Sequence, residues 1–162
     1  MNPRDTLDMQ GYLTIHMFDR AGQLIQTIQK QNSIVYSGRD LVAKRFVEAD
    51  IAPIGYLAVG TGGDQVDPED TRLQAEVFRT KLQPFQPEDL APLKQNEFNR
   101  CCLKLSAVLQ ASEPEQACEL REAGLFNSED PNKSVMYNRI VFPSSISKTS
   151  EFSLTFVWEI VF

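Results

Sequence analysis

The chain has 162 residues, with 16 Lys and Arg against 22 Asp and Glu, for a formal net charge of -6. At roughly 100 to 200 residues per domain this length gives one globular domain, and 42% hydrophobic residues exclude disorder as the global state. The acidic balance opposes the counterion release that drives association with nucleic acid or anionic membranes, so neither is expected as a partner. Cys101, Cys102 and Cys118 show no CxxC spacing, which argues against a disulfide framework or a zinc site. Met1 to Asp8 contain no apolar stretch behind a basic start, and no run of about 18 apolar residues follows. A soluble protein folding in a reducing cytoplasm, without membrane insertion, is expected.

In chain order, the first pattern is Tyr12 to Phe18, where Leu13, Ile15 and Met17 alternate with Thr14 and His16. Asp19-Arg20-Ala21-Gly22 is turn chemistry and a second alternating run reaches Ile28, so a hairpin is predicted. Asn32 or Ser33 can cap a helix over about residues 33 to 49, because Ile34, Val35, Leu41, Val42, Phe46 and Ala49 fall on one helical face together with Gly38 and Arg45. Gly38 inside that helix predicts a close approach to a sheet or another backbone. Ile54 to Val59 is a short apolar strand entering Gly60-Thr61-Gly62-Gly63. Asp67-Pro68-Glu69-Asp70 supplies helix-start chemistry, so a short helix or helical turn is expected before Leu73, Ala75, Val77 and Phe78. Pro84, Pro87 and Pro92 mark residues 83 to 95 as a loop. Phe98 to Leu109, Gln116 to Phe126, Ser134 to Phe142 and Glu151 to Phe162 then read as strands separated by turn residues, Pro143-Ser144-Ser145 among them. The predicted fold is mainly β with one or two helices: an antiparallel β-sandwich decorated by an early helix.

Most candidate sites have a plain structural account. The glycines after Val59 lack the GxGxxG and GxxxxGK[ST] spacings, and Asp64, Asp67, Glu69 and Asp70 would repel a polyphosphate. The same acids lack the spacing of a calcium loop. His16 is the one histidine, with no recognisable nucleophile motif around it. Glu97, Glu119, Glu122, Glu151 and Glu159 sit on or beside strands, but no spacing selects an acid-base pair. The sequence therefore assigns no catalytic residue, no cofactor and no metal ligand, and the chain is not read as an enzyme. Arg121-Glu122-Ala123-Gly124-Leu125-Phe126 is more pointed: it predicts a bulge or close backbone contact at Gly124 and a buried charge pair nearby.

Several segments in order carry a resemblance: Asn32 with the Gly38 helix, Leu57-Ala58-Val59-Gly60-Thr61-Gly62, Leu73 to Arg79, Arg121 to Phe126, and Lys148 before the terminal strand. Together they resemble the tail-collar domain at the amino end of phage tail fibres, and small structural proteins of contractile phage tails and phage-tail-like injection systems. The resemblance spans residues 32 to 162, which leaves residues 1 to 31 as an extra hairpin extension. It implies that Glu76 and Arg79 sit on a short helix, that Arg121 to Phe126 is a core strand, and that Arg79, Arg121 and Glu122 pair within the fold. Gly60, Gly62 and Gly124 are then expected to shape turns and close contacts.

By the same resemblance the chain is expected to be a structural or assembly subunit of a baseplate, collar or fibre attachment. No shaft follows Phe162, which favours an adaptor or accessory subunit. Its expected partners are other tail, baseplate, collar or fibre subunits and copies of itself in a symmetric homo-oligomer. It would be made in the cytoplasm and incorporated into a virion tail or tail-like particle. The alternative is a free-standing β-sandwich binding carbohydrate or a receptor through Tyr12, Phe85 and Tyr137.

Overall fold

The computed structural model describes residues 9–95 and 98–162. Nine strands and one α-helix are assigned among them: β1 (Gln10–Asp19), β2 (Leu24–Ile34), α1 (Tyr36–Arg45), β3 (Tyr56–Gly60), β4 (Glu76–Lys81), β5 (Leu90–Gln95), β6 (Phe98–Leu109), β7 (Cys118–Phe126), β8 (Met136–Lys148) and β9 (Phe152–Val161). The strand order is β4-β3-β7-β8-β2-β1-β9-β6-β5, and every assigned pairing is antiparallel. The fold is mainly β, as the sequence predicts.

Strand β9 shows why the sheet curls. Leu154, Phe156, Trp158 and Ile160 are buried on one face of it, and Phe156 and Trp158 stack with ring centroids 6.3 Å apart. They share a single core with Leu57 and Val59 of β3 and Leu125 of β7, from the far side of the sheet order. The two halves of the sheet therefore face one another. They are joined through β2, whose length pairs with β1 while its last residues, Ser33 and Ile34, pair with Arg139 and Asn138 of β8. On the opposite side the chain leaving β4 approaches β6, where the Gln83 N–H donates to the Ser106 carbonyl at 2.7 Å.

The predicted amino-terminal hairpin is present, but it is integral to the sheet rather than an extension of it. β1 pairs with β9 along all ten of its residues and so lies inside the sheet. Its tip closes because Asp19 Oδ1 accepts the N–H groups of Ala21 and Gln23, each at 2.9 Å, and Gly22 takes a φ of 79°.

The helix is shorter than the predicted span of 33 to 49. Ser33 and Ile34 are drawn into pairing with β8, so neither Asn32 nor Ser33 caps the helix; Val35 occupies that position without a side-chain cap bond. The first turn is held instead by tertiary contacts. The Tyr36 N–H donates to Pro68 O at 2.9 Å, and Ser37 Oγ donates to Met136 O at 2.7 Å. Gly38 lies where a Cβ would overlap the Tyr137 carbonyl, so helix and strand touch backbone to backbone.

Three further segments differ from expectation. Residues 67–70 form a turn without a following helix, and Glu76–Lys81 is a strand, because β3 offers an open ladder on that side. Residues 83 to 95 hold a short 3-10 turn and then β5, an edge strand, where Pro92 sacrifices no bond to a second neighbour. The Pro143-Ser144-Ser145 segment lies within β8, where the register slips between Leu120↔Ile146 and Glu122↔Val141 and the extra residues bulge outward, exposed.

The backbone contact at Gly38 yields a test. Alanine is the better helix former by about 1 kcal/mol, but its methyl would meet a main-chain carbonyl that cannot swing aside. Gly38→Ala is expected to destabilise the fold by about 1–3 kcal/mol, as overpacking does, measured as a lower denaturant midpoint with an unchanged slope. A midpoint equal to or above the wild type would contradict the close approach.

Candidate functional site

The densest polar cluster in the described molecule forms where β3, β7 and β8 meet the loop of residues 60–75. Glu122 on β7 is 0% exposed and Arg139 on β8 is 2% exposed. Arg139 Nε donates to Glu122 Oε2 at 2.8 Å. The Gln74 N–H donates to the same oxygen at 3.0 Å, while Oε1 accepts the Gly62 and Ala75 N–H groups at 3.1 and 2.7 Å. Four donors thus converge on one carboxylate: one N–H from the start of the loop at Gly62, two from its end at Gln74 and Ala75, and the guanidinium of the neighbouring strand. Side chains on Gly60 or Gly62 would occupy the space that this carboxylate needs.

Arg139 reaches onward from that carboxylate. Its Nη1 donates to Asp70 Oδ2 at 2.9 Å and its Nη2 to the Asp64 carbonyl at 3.2 Å. Burial pulls the guanidinium pKa down, but the hydrogen bonds and charges of Glu122 and Asp70 outweigh it and the net shift is upward. Asp70 Oδ2 also accepts the Asp67 N–H at 2.9 Å, Asp67 Oδ1 accepts the Glu69 N–H at 2.9 Å, and Gln74 bonds both the backbone and side chain of Asp64. The acidic loop is therefore occupied with its own backbone and with Arg139. Above it lies a cleft of about 550 Å³ lined by Asp64, Glu69, Asp70, Arg72, Gln74 and Arg139.

This geometry also explains the missing helix after Asp70. Propagating it would require the N–H groups of Gln74 and Ala75 to find carbonyls four residues back. The buried carboxylate captures both instead, and charge-assisted bonds to an anion are the stronger choice.

Glu76 and Arg79 form a second cluster on β4, a strand rather than the short helix the resemblance implies. A register shift at Val59/Gly60 inserts an extra residue, so two side chains three apart share a face. Arg79 donates to both Glu76 oxygens, at 2.8 and 2.7 Å, and to Ser128 O and Ser134 Oγ at 2.7 and 2.9 Å. Its guanidinium lies 4.0 Å from the centre of the Phe126 ring. Beside it a second cleft of about 540 Å³ is lined by Arg72, Leu73, Val77, Pro131 and Asn132.

The expected pairing of Arg121 with Glu122 does not form. Side chains alternate along β7, so with Glu122 inside, Arg121 is outside, exposed, its guanidinium resting over Gly63. The true partner, Arg139, was missed by reading only locally. Its signal in the sequence is a lone cation inside the apolar run Val135 to Phe142. Gly124 opposes Ala58 and Arg139 in the two flanking strands, and a Cβ there would lie 2.7 Å from the Asn138 carbonyl.

Other candidates are dispersed. Glu159 pairs with Lys104 at 3.4 Å and Glu151 with Arg20 at 3.1 Å, both on the surface, Glu119 is exposed, and Glu97 lies outside the described residues. His16 Nδ1 lies 3.1 Å from Thr27 Oγ1 across the hairpin. Burial pushes the Cys102 and Cys118 thiols up, away from thiolate chemistry. Of the three aromatic residues proposed for ligand binding, Tyr137 is 1% exposed and packs in the core, which leaves Tyr12 and Phe85 on separate elements. Phe85 borders an apolar groove of about 330 Å³ with Leu41, Val42, Ile54, Leu103 and Leu105.

Comparison of the chain with protein-family models, curated proteins and solved structures finds no match.

Two outcomes are expected. Arg139→Ala strands a buried carboxylate and should cost about 3–5 kcal/mol of unfolding free energy, whereas Arg121→Ala, at an exposed position, should change it by no more than about 0.5 kcal/mol; chemical denaturation of both variants checks the contrast. Tyr137 supplies the second, because its hydroxyl is buried with no hydrogen-bond partner among the described residues and burial pushes its pKa from 10.0 up to about 12, against a smaller opposing effect of Arg39. As pH rises through 10 the unfolded chain loses this proton before the folded one does. The associated stability is complete below pH 10 and is lost toward pH 12, by about 1.4 kcal/mol per pH unit. Tyr137→Phe should remove that alkaline component while remaining within about 1 kcal/mol of wild type at neutral pH, as read from melts across the pH range.

Proposed function

We propose that this chain is a non-enzymatic structural subunit of a phage tail or phage-tail-like contractile injection particle, acting as a baseplate, collar or fibre-attachment adaptor. One observation carries the reading. The segments that resemble the tail-collar pattern, 57–62, 73–79 and 121–126, are separated in sequence but adjacent in the structure as β3, the approach to β4, and β7, and all three converge on the Glu122 carboxylate. The pattern thus describes one connected physical unit.

The use to which the buried charges are put supports the same reading. All four donors around Glu122 come from the loop and from Arg139, and Arg139 in turn holds Asp70 and the Asp64 backbone. That network fixes the shape of an exposed loop, which is what a subunit docking through its surface requires. The carbohydrate-binding alternative gains less support, since its platform of Tyr12, Phe85 and Tyr137 is dismantled by the burial of Tyr137.

A tagged copy expressed in its native context is expected to co-purify with tail, baseplate or fibre subunits and to be detected in intact particles. A protein that enters no particle and is captured instead by glycans would overturn the proposal. The neighbouring genes provide a quick independent check, because sheath, tube or baseplate genes beside this one are the expected setting.

A further inference from the structure

We infer that the apolar groove between α1 and β6 binds the alkyl chain of a medium-chain aliphatic carboxylate, with the Arg45 guanidinium receiving its head group. The groove shares no residue with the Glu122 network, and its occupancy does not depend on the particle reading.

The groove exists because the core face of β6 runs on beyond its cover. Leu103, Leu105, Ala107 and Leu109 share one face of that strand. Ala107 and Leu109 are buried, whereas Leu103 and Leu105 pack against the same core and stay only half-buried. Leu41 and Val42 of α1 stand on the facing side, and Ile54 and Phe85 close in from the segments before β3 and after β4, to enclose about 330 Å³. The lining is apolar throughout except for Arg45. A concave apolar space with one polar group at its margin is the usual form of a small-molecule site, and this one falls at the lower end of the range of about 300 to 1,000 Å³.

The walls favour an aliphatic chain over a peptide. A peptide brings backbone N–H and C=O groups that need partners when buried, and the strand beneath has its own groups occupied. β6 is paired to β9 at Leu103↔Ile160 and Leu105↔Trp158; on its other side it meets β5 at Leu103↔Leu90, and the Gln83 N–H donates to the Ser106 carbonyl. An alkyl chain makes no such demand and gains from leaving water.

Charge selects the head group. The chain carries 22 acids against 16 bases, yet no acid lines this groove; Glu48 and Asp50, just beyond α1, lie outside its lining. Arg45 Nη1 donates to the Ile51 carbonyl, and the other guanidinium donors have no partner among the described residues. That bond steadies an exposed cation at the margin of the apolar space, where a guanidinium can offer a carboxylate paired N–H groups.

Titration of the full chain with octanoate, followed through its methyl NMR resonances, tests this. Octanoate is expected to bind saturably, to shift the methyls of Leu41, Val42, Leu103 and Leu105, and to bind about tenfold more tightly than hexanoate, as two further buried methylenes require. Arg45→Gln should weaken octanoate about fivefold or more while leaving 1-octanol near its wild-type affinity. Ala52→Phe, at an exposed loop position in the lining, fills the groove without altering the core and should abolish binding of both ligands. Absence of saturable octanoate binding overturns the inference, as do shifts confined to other methyls, equal affinity for hexanoate, an Arg45→Gln effect as large on 1-octanol as on octanoate, or binding retained by folded Ala52→Phe. If Ala52→Phe fails to fold, the position of the wild-type shifts and the Arg45→Gln contrast decide alone.

Discussion

A carboxylate with no access to water is the constraint around which one side of this protein is arranged. Charge transferred to a low-dielectric interior is tolerated only when partners replace its lost hydration, and Glu122 obtains four: three backbone N–H groups and one guanidinium. Each partner places a demand on another part of the chain. Gly60 and Gly62 leave room for the carboxylate, the backbone at Gln74 and Ala75 abandons the helical path, and β8 carries a buried arginine. Arg139 then requires Asp70, and Asp70 closes the turn at Asp67. A loop of more than a dozen residues acquires one shape through a chain of local obligations that begins at a single side chain.

The rest of the fold depends on a different balance. The sheet curls so that β9 and β1 on one half bury their large side chains against β3 and β7 on the other, and β2 is the seam between the halves. Serving both halves obliges β2 to leave β8 early. The same divergence leaves a gap between β2 and β8 that the Lys30 side chain spans, its Nζ donating to the Val141 carbonyl at 2.6 Å.

The network around Glu122 presents a fixed surface, in which ordering entropy has already been spent during folding rather than on binding.

The sequence by itself determined the mainly β class, the hairpin at the amino end, the existence of an early helix and most strands after residue 98, because alternation with period two is a local property that burial of one face imposes directly. Gly38 was legible as a point of close approach for the same reason: a glycine inside a helix has a cost that only proximity repays. Tertiary structure decided what distant segments supply to one another. Glu76–Lys81 became a strand because β3 offered a ladder and because Glu122 took the N–H groups that a helix would have used. Arg139 rather than Arg121 met Glu122, since adjacent residues on a strand point to opposite faces and the partner had to come from the next strand. The hairpin lies within the sheet because β9, more than 130 residues away, pairs with all of β1. Local pattern sets which residues must be buried, but the choice of what buries them is made between segments far apart in sequence, where periodicity carries no information.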